Sequence, residues 1–344
     1  MKRAGLLVLV TMLVLGEGLL GQGAEHLVQQ LRRAEQGSLP DQVKVGLAYY
    51  YGTGVTADPA AGARWLMRAA NYGDPVAQTA LANMYLDGDG VQQDYQTAVN
   101  LLRRAAVTGL AVAEHDLALL YLQGHGVKQD LQEAAVLFEK AAQQKYGPSR
   151  ASLAVMCIEG MGTQQDLKRG VKLLEQAAKQ RVANAEFNLG WYHQTGKGVE
   201  RNEAKAFTYY QQAVEDGYAP AKHNLGYLYV HGLGVEKDLA RGAKLILEAA
   251  EAGDAGSFPA LAALYAGGLG MSRDGVEAYR WFTTAKLAGA KLSSLQEQTF
   301  TEVASAMTSE QKADAESKAK TWLGGHRLAR LFSPQDLDSA TLAR

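Results

Sequence analysis

The side chains best suited to chemistry are few, and they recur in register. Asp58, Asp94, Asp130, Asp166, Asn202, Asp238 and Asp274 follow one another at intervals of 36 residues. Repeated carboxylates of this kind are the raw material of general acids, bases or metal sites. Each stands four residues beyond a Gly-x-Gly triplet: Gly52/Gly54, Gly88/Gly90, Gly124/Gly126, Gly160/Gly162, Gly196/Gly198, Gly232/Gly234 and Gly268/Gly270. Glycine-rich turns can cradle phosphate. Cys157 and His193 occupy one repeated position, and His223 and His231 lie eight residues apart.

The context of these residues argues for structure instead. No Gly-Lys-Ser/Thr follows any triplet and no parallel strand precedes one, so the glycines read as turns. The fixed phase of the aspartates marks them as helix caps, each worth about 1 kcal/mol. On one helix, His223 and His231 stand about 12 Å apart along the axis, too far to share a metal ion directly. His193 is expected as a packed or hydrogen-bonded imidazole and Cys157 as an inert buried thiol. No nucleophile, base and oxyanion site assembles in recognisable form. The chain is therefore expected to be non-catalytic, with no metal and no cofactor.

Composition narrows the classes further. The 344 residues carry 35 Lys and Arg against 36 Asp and Glu, so no global field draws the chain to nucleic acid or anionic lipid. At 47% hydrophobic the chain can bury a sizeable core, which excludes wholesale disorder. A single cysteine excludes an intramolecular disulfide framework and a thiolate zinc cage. The start, Met1-Lys2-Arg3, is basic. An apolar run from Ala4 to Gly16 follows, too short for the roughly 20 residues a membrane span requires, and small residues at Gly21, Gly23 and Ala24 suit a signal peptidase. A signal peptide over 1–23 is expected, with no integral membrane span after cleavage and a periplasmic mature protein.

The 36-residue period dictates the elements that carry these residues. Upstream of the glycines stand Tyr49, Tyr85, Tyr121, Cys157, His193, Tyr229 and Tyr265; downstream come pairs such as Ala69-Ala70 and Ala105-Ala106. In the second unit Leu81, Met84 and Tyr85 fall at i, i+3 and i+4, and Ala98, Leu101, Leu102 and Ala105 continue that spacing after the glycines. Each unit thus reads as two amphipathic helices that cannot bury their apolar faces alone, so the units must stack. Gly73, Gly109, Gly217, Gly253 and Gly289 close the units in phase. Lys145 and Arg181 break that rule, and differently shaped turns are expected there. A capping half-repeat is expected over 24–38, seven repeats over 39–290, closing helices over 291–323 with Thr308 and Gln311 as a cap, and a tail over 324–344.

Units of the form Ala-x-x-x-Leu-Gly-x-x-Tyr-x-x-Gly-x-Gly-Val-x-x-Asp, complete at Ala221 to Asp238, resemble the Sel-one-like repeat (SLR) family, relatives of the tetratricopeptide repeat. The resemblance implies an all-α, right-handed superhelical solenoid of about seven 36-residue units. Its first helices would line a concave face that binds a protein partner. Carried onto this sequence, that face holds Tyr50, Tyr51, Asn83, Asp87, His115, Leu119, Gln123, Glu159, Phe187, Trp191, His223, Tyr227 and His231. The partner implied is a secreted effector or an envelope component, with no nucleic acid. Within the family the implied roles are, in order, an immunity protein neutralising an antibacterial effector such as a type VI phospholipase, an envelope scaffold or adaptor, and a cell-wall or β-lactam hydrolase. The hydrolytic relatives carry a disulfide in each repeat, and this chain lacks those cysteines.

Overall fold

A computed structural model describes residues 23–326. The expected signal peptide, but for Gly23, and the end of the expected tail lie outside them. The described residues form helices joined by turns and loops, with no β-strand among them: a helical solenoid of successive pairs. Its contacts divide the chain at Gly170 and Val171 into two units. The first holds α1 (Gly23–Glu35), α2 (Leu39–Tyr51), α3 (Pro59–Asn71), α4 (Pro75–Asp87), α5 (Tyr95–Val107), α6 (Ala111–Gln123), α7 (Leu131–Gln143) and α8 (Gly147–Glu159). Helix α9 (Leu167–Ala178) carries the boundary. The second unit continues with α10 (Ala183–Thr195), α11 (Glu203–Glu215), α12 (Ala221–His231), α13 (Leu239–Glu251), α14 (Ser257–Gly267), α15 (Gly275–Leu287), α16 (Ser294–Ser305) and α17 (Ser309–Gly325).

The recurrent aspartates are caps. Asp58 accepts from Ala61 N at 2.9 Å, Asp130 from Glu133 N at 2.9 Å and Asp166 from Arg169 N at 2.9 Å. Asn202, Asp238 and Asp274 do the same for Lys205, Arg241 and Glu277. Each satisfies an amide that the first turn of a helix leaves without an intrahelical partner. The same residues tie their helix to the one before. The backbone N of Asp130 donates to Tyr121 O at 3.0 Å, that of Asp166 to Cys157 O at 2.8 Å and that of Asn202 to His193 O at 2.8 Å. Because this tie runs through backbone carbonyls, cysteine and histidine replace tyrosine at the position without loss of the bond.

The two glycines of each triplet do different work. Gly124 ends α6 in the left-handed region, φ 71°, and its N–H donates to Leu120 O. Gly126, φ 66°, lies against the start of α5 in the preceding repeat: a Cβ there would stand 2.5 Å from the carbonyl carbon and oxygen of Tyr95. The same approach recurs between Gly90 and Pro59, Gly162 and Leu131, Gly234 and Glu203, and Gly270 and Leu239. The second glycine is thus the point where neighbouring repeats touch backbone to backbone.

The turns after the third and fourth repeats keep the common shape, against expectation. Lys145 and Arg181 adopt φ 65° and φ 58° at the positions where the other repeats hold left-handed glycine. The hydrogen bonds explain why. Lys145 N donates to Ala142 O and Tyr146 N to Ala141 O, the pattern that Gly73 and Asp74 make with Ala70 and Ala69. The pairing of helix end with helix start imposes the conformation, and the side chain bears the strain. Lys145→Gly is therefore expected to raise stability by roughly 0.5–1 kcal/mol, read as a higher urea midpoint with unchanged helical content.

At the described ends, Leu27 and Ala34 of α1 are buried with Val45 of α2. Ser293 with Gln296 and Thr308 with Gln311 form reciprocal capping boxes on α16 and α17. Ala315 and Ala319 are buried, and Trp322 packs edge-on against Phe258 and Trp281 with centroids 5.5 and 5.4 Å away.

Candidate partner-binding surface

In the first unit the expected residues divide by burial. Tyr50 is buried, its ring set edge-on to Tyr51 at 4.8 Å, while Tyr51 is half-buried. Asn83 is half-buried and its Nδ2 donates to Asp116 Oδ2 at 3.2 Å, which joins two successive first helices. Burial pushes the Asp116 carboxyl up to about 7. His115 is buried: its Nδ1 meets Ser149 Oγ at 2.9 Å, its ring packs against Phe138 and Tyr146, and desolvation holds the imidazole down to about 4. Leu119 and Glu159 are half-buried, and Asp87 and Gln123 are exposed. The accessible side chains of this row are thus mostly polar, with two exposed or half-exposed carboxylates in Asp87 and Glu159. Apolar residues of the same helices, such as Leu47 and Val155, are buried.

The second unit presents a different row. Phe187 is 5% exposed and packs between Tyr210 and Tyr218, with centroids 5.7 and 5.2 Å away. His223 is largely covered, its Nδ1 2.9 Å from Ser257 Oγ. Tyr50, His115 and Phe187 are therefore core residues, and His223 joins successive first helices. Each of the last three lies at the register position that faces the next repeat, one shared with the buried Val43, Thr79 and Ala151. Trp191 is half-buried against the core cluster around Tyr210 and Tyr229, edge-on to Tyr192 at 5.0 Å, with Lys197 Nζ 5.8 Å from its ring. Tyr227, at the same register one repeat on, is 40% exposed, and its ring lies 4.3 Å from that of the exposed His231. The one carboxylate on the three first helices α10, α12 and α14 is Glu186, which is buried. Aromatic, imidazole and amide groups are what this row offers.

His223, Ser257 and Asp254 invite comparison with a hydrolytic triad. The geometry opposes it. Ser257 is fully buried and its hydroxyl donates to Asp254, while both Ser257 Oγ and Asp254 Oδ2 (3.7 Å) sit on the same ring nitrogen of His223. A general base needs its two nitrogens on opposite partners, one toward the nucleophile and one toward the acid. His193 is buried, stacked on Tyr209 at 5.7 Å, with Nδ1 3.3 Å from Glu200 O. Cys157 is buried and desolvation raises its thiol above the ordinary range. Among the described residues no cluster of three or more His, Cys, Asp or Glu is placed to hold a metal ion, and no helix is long and apolar enough to cross a membrane.

Two polar columns escaped the sequence reading although both are in phase. Gln93, Gln129 and Gln165 each donate from Nε2 to a carbonyl near the end of the preceding first helix: Leu86 O, Leu122 O and Ile158 O, at 2.7, 2.9 and 2.8 Å. Gln42 and Gln78 donate to Ala34 O and Ala70 O at 3.1 Å, and Arg150 to Ala142 O at 3.3 Å. The available signal is the 36-residue spacing of Gln93, Gln129 and Gln165 and of Gln42 and Gln78.

A family model, the Sel1 repeat, matches residues 41–74, 75–106, 111–146, 148–182, 183–218, 219–254 and 260–289. The chain belongs to the Sel1 repeat family. Sel1 repeats mediate protein–protein interaction, and the scaffold is generally non-catalytic. The Sel1 repeat protein from Oxalobacter formigenes has a similar structure, 28% identical with a TM-score of 0.61, over 86% of this chain and 85% of that one. A second is c5321, a protective antigen of uropathogenic Escherichia coli strains with an SLR fold: 25% identity, TM-score 0.50, 93% of this chain and 84% of that one. The immunity protein Pa5087 from Pseudomonas aeruginosa is 21% identical with a TM-score of 0.44, over 60% of this chain and 81% of that one. No curated protein shows significant sequence similarity to the chain.

Proposed function

We propose that this Sel1 repeat chain is exported to the periplasm and binds a protein partner through its first helices, as an immunity protein that neutralises a secreted antibacterial effector. The observation that carries partner binding is the Tyr227 and His231 pair: two rings 4.3 Å apart, both exposed, on a helix whose apolar face is already filled by Leu225, Leu228 and Tyr229. Exposed aromatic groups beside a packed core are the usual anchors of protein interfaces. The basic start and short apolar run of the sequence support export. In this reading α1 caps the array at one end and α16 with α17 at the other.

A scaffold is the second reading. It is favoured by the difference between the two rows, polar with carboxylates in the first unit and aromatic with imidazole in the second, which suits two unlike partners. The test is protection. The exported chain, produced in cells that express a toxic effector encoded beside its gene, is expected to restore growth and to co-purify with that effector. Growth failing to recover while two different envelope proteins co-purify favours the scaffold and removes the immunity role.

A further inference from the structure

Two repeats place a glutamate at the same register, and only one of them supplies it with a hydrogen. In the third repeat Glu114 accepts from Gln144 Nε2 at 2.8 Å. Two repeats on, Glu186 stands where Glu114 stood and Asp216 where Gln144 stood. An ionised carboxylate has nothing to donate. The consequence is visible in the structure: Glu186 is 1% exposed, and Glu186 Oε2 and Asp216 Oδ2 are both buried without a hydrogen-bond donor. Arg181, held left-handed in the preceding turn, gives Nε and Nη2 to the other oxygen, Asp216 Oδ1, at 3.0 and 2.6 Å.

We infer that Glu186 and Asp216 bind one proton between them, Glu186 as the acid donating to Asp216 Oδ2, and that this proton fastens the start of α10 to the end of α11. One hydrogen satisfies both orphaned oxygens. The charged groups that reach Glu186 are Asp216 and Glu215 at the end of α11 and Arg181 before α10. With the proton bound, Arg181 faces the half-buried Asp216 and the exposed Glu215; without it, Glu186 is a further carboxylate that competes for the same cation and repels Asp216. Burial, with Asp216 adding to it, raises the Glu186 carboxyl to about 7. The folded chain then holds more protons than the unfolded chain from the ordinary glutamate range up to about pH 7, so the stability this pair contributes is full in acid and is lost as pH rises through neutrality. The site works as a proton-dependent latch within the second unit.

The direct test is a titration of the full chain carrying carbon-13 at its glutamate carboxyls. One resonance should titrate near neutrality and be missing from Glu186→Gln. If every glutamate resonance titrates in the ordinary range, the shared proton does not exist. The second test compares urea unfolding of the wild type with Glu186→Gln and with Asp216→Gln, which rebuilds the Gln144 arrangement. The difference matters rather than the profile itself, since Asp116 of the first unit also titrates near neutrality. Both variants should gain on the wild type as pH rises from 5 to 8, by about tenfold or more in folding equilibrium constant. A constant difference across that range would overturn the latch.

Discussion

Gly126→Ala is expected to destabilise the first unit by about 3 kcal/mol, while Gly109→Ala costs only about 1 kcal/mol, although both glycines are left-handed. Conformation is common to the two, at φ 66° and φ 81°; the surroundings differ. Nothing lies within 4 Å of a Cβ placed on Gly109, whereas on Gly126 it would meet the Tyr95 carbonyl at 2.5 Å. Backbone cannot rotate aside as a flexible side chain can, so the third repeat must shift away from the second. In an array held together by nearest neighbours, damage to one junction should also broaden the urea transition by uncoupling the repeats on either side. Equal losses for the two variants would show that backbone conformation, and not the contact between repeats, governs the second glycine.

The second large effect separates core from surface within one helical row. Phe187→Ala should lower stability by about 3–5 kcal/mol, because it removes a ring packed between Tyr210 and Tyr218. Tyr227→Ala, at a side chain 40% exposed, should stay within about 1 kcal/mol of the wild type. Affinity is expected to behave in the opposite way. Tyr227→Ala should weaken partner binding about 30-fold, as befits an exposed aromatic anchor, with thermal unfolding little changed. Trp191 is a poorer probe, since its packing against the core cluster couples stability to binding. Calorimetric unfolding together with titration of the purified partner reads both quantities, and a Tyr227→Ala variant that binds normally would remove that residue from the interface.

These contrasts show what the amino-acid pattern disclosed and where it stopped. The period exposed the helix pairs, the aspartate caps and the glycine turns because each rests on a local rule about a backbone that repeats every 36 residues. It also located the repeats that the family model matches. Which of two neighbouring positions on a first helix faces solvent is not a local matter. His115 and His223 are polar by type and Phe187 is an aromatic that suits an interface as well as a core, yet the register they share puts all three toward the next repeat. Val43, Thr79 and Ala151 in the same register, all small or apolar, were the available sign. The turns at Lys145 and Arg181 escaped for a related reason: residue preference predicts glycine, but hydrogen bonding across the turn imposes the conformation on whatever residue is there. The Glu186 and Asp216 pair lay outside reach altogether, since the two residues are 30 positions apart and meet only when α10 and α11 pack.

In the proposed function the first-helix row of the second unit holds a protein partner. Site-specific photo-crosslinking tests it most directly, with a photoreactive phenylalanine analogue placed at position 231 or, as a control, at position 107, where Val107 at the end of α5 is 88% exposed. In cells producing the exported chain, position 231 should yield one discrete cross-linked protein that disappears when Tyr227→Ala is added, and position 107 should yield none. The same adduct from both positions, or none from position 231, would contradict it.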